Sequence, residues 1–142
     1  MSTIMRKMIT VGRCERMYRA QQMKNEIPGF YHSYILAICR TPGMTQEMLA
    51  RKLCFNKSSV ARHLARLEKD GLVERKVSER DKRELLVYPT DKMLALKPEV
   101  VEVTMKWDAL VAESVSEEEM RIFHEILDKI EKRSLEIVYP EV

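Results

Sequence analysis

Residues 45–90, TQEMLARKLCFNKSSVARHLARLEKDGLVERKVSERDKRELLVYPT, decide the fold. Thr45 is a suitable helix cap, and Leu49 and Leu53 follow four apart, so the first segment predicts a short helix. Asn56 opens a second one, in which Val60, Leu64 and Leu67 recur at helical spacing. Lys57, Ser58, Ser59, Arg62, His63 and Arg66 fall mainly on its other faces. One face packs while another is free to meet a partner. Gly71 stands where a left-handed helix stop is needed, and LVERKV beyond it alternates apolar and charged residues as a strand does. ELLVY returns as the partner strand, and the tip between them, Ser78 to Arg83, is too polar for a core. Helix, turn, helix and β-hairpin in that order predict a winged helix.

Composition sets the bounds. At 142 residues, 45% apolar and 33% charged, the chain can bury one moderate core. Residues 27–39 form the longest uncharged run, too short for a bilayer span and interrupted by Pro28 and Gly29. Arg6, Lys7, Arg13, Arg16 and Arg19 spread through the first helical pattern, so no signal peptide is expected and the reading is cytoplasmic. Cys14, Cys39 and Cys54 show neither CxxC spacing nor a histidine at ligand spacing, which predicts reduced, structural thiols and no zinc site. There is no glycine-rich phosphate loop, GxSxG elbow or HExxH helix, so no enzyme, catalytic residue, metal or cofactor is expected.

Charge is uneven along the chain. Lys and Arg outnumber Asp and Glu by seven to two in residues 1–44 and by eleven to seven in 45–90, but trail by seven to thirteen in 91–142. The first two-thirds suit a polyanion and the last third repels one. That last third is also apolar at helical spacing. Met93, Leu96, Val100, Val103, Trp107 and Leu110 form one stripe, on a helix that Pro98 is expected to kink or restart. Ser116 with Glu119 reads as a capping box, and Phe123, Ile126, Leu127, Ile130 and Ile137 continue a stripe behind it. Ile4, Met8, Val11 and Met17 or Tyr18 give the first helix an apolar face, and Phe30, Tyr34, Ile35 and Ile38 the second. This exceeds what a winged helix needs for its own core, and the surplus suggests a helical dimer interface in which basic N-terminal helices meet acidic C-terminal ones.

The run TPGMTQEMLARKLCFNKSSVARHLARLEKDGLVERKVSERDKRELLVYPTDK resembles the core of the MarR family, the multiple-antibiotic-resistance type of bacterial transcription regulator. Its signals are TQ..LA, the R..L..LE..GL..R run and the D.R wing; the family's LT..G after the wing is replaced by Pro89, Thr90, Asp91, Lys92, Met93 and Leu94. The resemblance covers essentially the whole chain. It implies a mainly α fold with a small β-hairpin wing (α+β), a winged helix-turn-helix with N- and C-terminal dimerisation helices. The expected layout is a single domain over 1–142, with the DNA-binding part at about 41–90 and dimerisation helices at about 3–25 and 91–138.

What the resemblance implies in function is a triangular homodimer on double-stranded DNA, most often a repressor, with each recognition helix in a major groove and each wing near a minor groove. Thr45, Gln46, Lys57, Ser58, Ser59, Arg62, His63, Arg80, Lys82 and Arg83 are the expected DNA-binding residues, Arg83 matching the wing-tip arginine. Asp81 matches the acid that holds Arg62 or orients the wing. Arginine can fork onto guanine or enter a narrow minor groove, and hydroxyls at a helix N-terminus suit phosphates. His63 is open between a cap, a phosphate contact and a base contact, and Arg66 and Lys69 are expected to be solvated or paired with Glu68, Asp70 or a neighbour. His32 and His124 read as ordinary surface or half-buried histidines, and the ten methionines as core filling. Cys14 lies about two helical turns off the position of the family's peroxide-sensing cysteine. The resemblance also implies a small aromatic or phenolic effector, for which Arg16, Tyr18, His32, Tyr34 and Trp107 form a candidate pocket. The alternative is a winged-helix protein-interaction module without specific DNA binding, which would have no reason to keep a basic helix beside a basic wing.

Overall fold

The computed structural model describes residues 3–141. In chain order the elements are α1 (Thr3–Gln22), α2 (Tyr31–Arg40), β1 (Met44–Thr45), α3 (Gln46–Leu53), α4 (Lys57–Lys69), β2 (Val73–Val77), β3 (Leu85–Pro89), α5 (Asp91–Ala112) and α6 (Glu117–Val138). They form two compact units, one reaching to Thr104 and the other starting at Met105. The first contains the winged helix-turn-helix.

Local chemistry sets its boundaries as the sequence predicts. The Thr45 side chain accepts from the Met48 amide at 3.1 Å and caps α3, and Asn56 accepts from the Ser59 amide at 2.7 Å and caps α4. At the other end of α4 the Leu72 amide donates to the Leu67 carbonyl (2.9 Å) and the Gly71 amide to that of Glu68 (3.0 Å), with Gly71 at φ +74°. This is a Schellman stop, and it swings the chain out into β2. Cys54 makes the left-handed turn between α3 and α4 at φ 54°, a conformation that strains any side chain.

The sheet is three-stranded and antiparallel in the order β1-β3-β2, not the bare hairpin expected. Met44 and Arg75 both lie opposite Val87, so the short β1 closes the outer edge of β3. Gly43 feeds it at φ +87°, where a Cβ would meet the Tyr88 hydroxyl at 3.2 Å. Behind the sheet, Tyr31, Tyr34, Ile35 and Ile38 of α2 pack with Leu49, Val60, Leu64, Leu67, Val87, Met93 and Val100 in one core. Each such side chain removed from water contributes about 1.5–3 kcal/mol.

Several expectations need correction. Helix α5 runs unbroken through Pro98 and does not restart there. Met93 and Val100, counted toward an interface surplus, are instead fully buried in the winged-helix core, which needs more of the flanks than the sequence suggests. Of the three free cysteines, only Cys39 packs against the core; Cys14 and Cys54 are exposed. His32 is buried rather than superficial.

Thr90 stitches the wing to α5 where the sequence departs from the family pattern. Its hydroxyl donates to the Gly71 carbonyl (2.7 Å) and accepts from the Met93 amide (3.3 Å), while the Lys92 ammonium donates to the Asp70 carbonyl (2.7 Å). The second unit holds the end of α5 and α6. Ser116 and Glu119 form the capping box that starts α6, and no α6 side chain is buried. Among the described residues no helix is long and apolar enough to cross a membrane.

Candidate nucleic-acid interface

Val60, Leu64 and Leu67 turn one side of α4 inward, and the geometry of the helix then turns Lys57, Ser58, Arg62, Arg66 and Lys69 to solvent. Among these residues and half-buried Ser59 the hydrogen bonds differ. Ser58 donates its hydroxyl to Asn56 Oδ1 (2.8 Å), so its proton is committed to the cap. Ser59 accepts from Arg62 Nη2 (3.2 Å), which keeps its own proton available and steadies the guanidinium across the face. Lys57 lies 3.7 Å from Glu47 with both side chains mostly exposed, a pair of negligible strength that a phosphate would displace. Arg66 pairs with Asp70 at 3.4 Å, as expected of a residue outside the reading set.

The wing is held at its root and free at its tip. Buried Ser78 donates its amide to the Glu84 carbonyl (2.9 Å), and its hydroxyl oxygen accepts from the Arg80 and Asp81 amides (3.2 and 3.4 Å). Asp81 Oδ1 accepts from the Arg83 amide at 2.9 Å, an Asx turn, and lies 3.3 Å from Arg83 Nε. Of the two roles expected for Asp81, its contacts are those of wing orientation, since Arg62 bonds Ser59 instead. The Arg83 side chain is 91% exposed, and Arg80 and Lys82 are exposed beside it.

Gln46 and His63 do not join these free groups in the way the sequence suggests. Gln46 Oε1 accepts from Arg75 Nη1 (3.2 Å). The same guanidinium forks onto Glu68 at 3.0 Å twice, so β2 locks the start of α3 to the end of α4, and the Glu68 carboxyl is held below its ordinary range chiefly by those bonds. His63 turns its ring inward, stacked on Phe30 with centroids 4.2 Å apart and edge-on to Tyr34 and Phe55, with Nδ1 2.9 Å from the Tyr34 hydroxyl. Tyr31 donates to the Asp70 carboxylate, a second phenolic tie between α2 and α4. An open groove of about 800 Å³ between α3 and the wing brings Thr45, Arg80 and Asp81 together with Arg51, which the sequence reading had left out.

The five candidate effector residues are not one cluster. Arg16 and His32 line a cavity of about 300 Å³ with Arg19, Asn25 and Glu26, between α1, the following loop and α2. Tyr34 lies in the core against half-buried His63, Tyr18 is half-buried on α1, and Trp107 belongs to the second unit. Neither His32 nitrogen has a hydrogen-bond partner of ordinary geometry. Burial, then Arg19, hold its imidazole below the ordinary range against the weaker pull of the Gly29 carbonyl and Glu99. Arg19 faces Glu15 at 2.6 Å, an ionic contact without a well-directed N–H. Glu99 of α5 takes the Lys24 amide and both the amide and side chain of Asn25, the latter at 2.5 Å, pinning the loop beside the cavity. No group of three or more His, Cys, Asp or Glu among the described residues is arranged to hold a metal.

The profile of the MarR family matches residues 27–84, the stretch from the loop before α2 to the wing. The chain is 29% identical over 99 residues to the HTH-type transcriptional regulator BilQ of Clostridium symbiosum, spanning 70% of this chain and 69% of that relative. It is similar in structure to a MarR transcriptional regulator from Methanosarcina mazei, with a TM-score of 0.85 at 23% identity over 94% of this chain and 97% of the other. It is also similar to a MarR family regulator from Listeria monocytogenes solved with a 26mer DNA, with a TM-score of 0.87 at 23% identity over 96% and 91% of the two chains.

Proposed function

We propose that the chain is a transcription regulator of the MarR family and not an enzyme, and that it is a homodimeric repressor of a pseudo-palindromic operator. In this reading residues 41–90 bind DNA and helices over residues 3–25 and 91–138 pair two copies. It acts in the cytoplasm of a bacterial-type cell, on the nucleoid when bound. The observation that carries the proposal is the pairing of an exposed basic face on α4 with an exposed, leashed Arg83 on the wing, two elements fixed to one core. A helix fits a major groove, and an arginine on a narrow hairpin fits a minor one. A repressor then acts by occupying a promoter in competition with polymerase. That the similar Listeria protein was solved in complex with a 26mer DNA supports DNA binding as such.

Selection of bound fragments from a DNA library, followed by footprinting, tests this. Protection of a pseudo-palindrome with half-sites about one helical turn, roughly 34 Å, apart is expected. Recovery of no preferred sequence would favour the protein-interaction reading instead.

The cavity with Arg16 and His32 supports release by a small aromatic or phenolic effector. A buried imidazole without hydrogen-bond partners costs free energy that a ligand bearing a carboxylate or hydroxyl relieves, and Arg16 adds charge for the former. Small aromatic carboxylates and phenols are therefore expected to raise the Tm of the parent protein but not that of Arg16→Ala or His32→Phe. A panel that shifts no Tm, or shifts all three proteins equally, counts against an effector at this cavity.

A further inference from the structure

Tyr34 is fully buried, and burial pushes its phenol up to about 12, so it keeps its proton. A buried O–H without an acceptor costs about 1–3 kcal/mol. Among the described residues its hydrogen-bond partner is His63 Nδ1, 2.9 Å away. Nδ1 must therefore accept, which leaves the imidazole proton on Nε2. Phe30 on one face and Phe55 at the edge keep the ring from turning. His63 is half-buried, on the flank of α4 that it shares with Ser59 and Arg66, four residues before and three after it. Arg62 points about 100° further round the helix.

We propose that Tyr34 is a positioning residue for DNA recognition, fixing His63 as the Nε2–H tautomer so that it presents a neutral donor to a phosphate oxygen at the groove wall. The inference rests on the DNA-binding reading above. The flank position selects the phosphate, because the outward face that would meet base edges belongs to Arg62. Burial, then the neighbouring Arg62 charge, hold the imidazole below its ordinary range; Tyr34, Phe30 and Phe55, the groups packed on it from α2, the residue before it and the α3–α4 turn, bring no carboxylate to reverse that. A neutral donor strengthens binding without releasing a counterion. It therefore leaves a signature that a lysine contact does not.

The test uses the full chain with nitrogen-15 histidine, together with titrations on a mixed-sequence DNA duplex at several salt concentrations near neutral pH. In the parent, His63 Nδ1 is expected to resonate as an unprotonated acceptor and Nε2 as a protonated donor; in Tyr34→Phe the two tautomers mix. Tyr34→Phe and His63→Phe, which both keep an aromatic ring in the cluster, are each expected to weaken binding roughly tenfold with an unchanged slope of log affinity on log salt. The double variant should lose little more than either single one. A protonated Nδ1 in the parent, parental affinity in both variants, or a shallower salt slope in His63→Phe would overturn the proposal. A parent that binds no duplex would overturn the DNA-binding reading and the phosphate contact with it, while the tautomer stands or falls on the nitrogen spectrum alone.

Discussion

Replacing Ile126 and Ile130 of α6 by glutamate is expected to abolish the homodimer we propose and leave a monomer. The helix has 22 residues and buries none of them, and Phe123, Ile126 and Ile130 are exposed by 53%, 49% and 43%. A row of large apolar side chains at helical spacing on a surface helix is unfavourable in water unless another surface covers it. A two-fold interface buries each position twice, so the two substitutions remove four side chains, each with about half its surface left to cover and so contributing roughly half of the 1.5–3 kcal/mol of full burial. With the cost of placing four carboxylates without partners in that interface, the loss becomes a large share of the free energy of a nanomolar dimer, about 12 kcal/mol. Glutamate is a good helix former, and the capping box at Ser116 is untouched, so α6 itself should persist. Light scattering should therefore report the monomer mass while far-ultraviolet circular dichroism keeps its helical signal. A dimer of parental affinity would show that the apolar face of α6 is not the interface.

The elements that were legible in the sequence are those whose causes are local. Asn56, Gly71 and the Ser116–Glu119 box act within a few residues of themselves, and the Val60, Leu64, Leu67 repeat needs only the period of one helix. What escaped depends on contacts distant along the chain. The two-residue strand β1 is too short to show alternation and exists because Met44 and Thr45 pair with Val87 and Leu86. Helix α5 survives Pro98 because Met93 and Val100 on either side are anchored in the core, while the Leu94 carbonyl that loses its partner belongs to an exposed residue and can turn to water. In the site, a polar residue on a reading helix is indistinguishable by pattern from a reader. His63 faces inward because Phe30 and Tyr34, about thirty positions earlier, form the pocket for its ring, and Gln46 is engaged because Arg75 reaches back to it.

Arg62→Ala and Arg83→Ala should each weaken operator binding by roughly 1–3 kcal/mol, about 5- to 150-fold, through different grooves. Arg62 projects from the exposed face of α4 with one hydrogen bond, from Nη2 to Ser59, so most of its guanidinium donors remain for a base edge. A bidentate contact to guanine is lost only where guanine stands, so Arg62→Ala should relax preference at one position of each half-site. Arg83 carries its charge on a tip whose backbone is held by Asp81 and Ser78, so its placement costs little conformational entropy on binding. Its loss should be largest on sites with narrow A·T-rich flanks, where the minor-groove potential is deepest, and small on flanks rich in G·C. Lys57→Ala provides the contrast: exposed and only loosely paired with Glu47, it should lower affinity almost evenly across sequences and reduce the salt slope by about one. Fluorescence-anisotropy titrations of the three variants on matched, base-substituted and flank-substituted operators at several salt concentrations separate the roles. Parental affinity and specificity in both arginine variants would remove Arg62 and Arg83 from DNA reading.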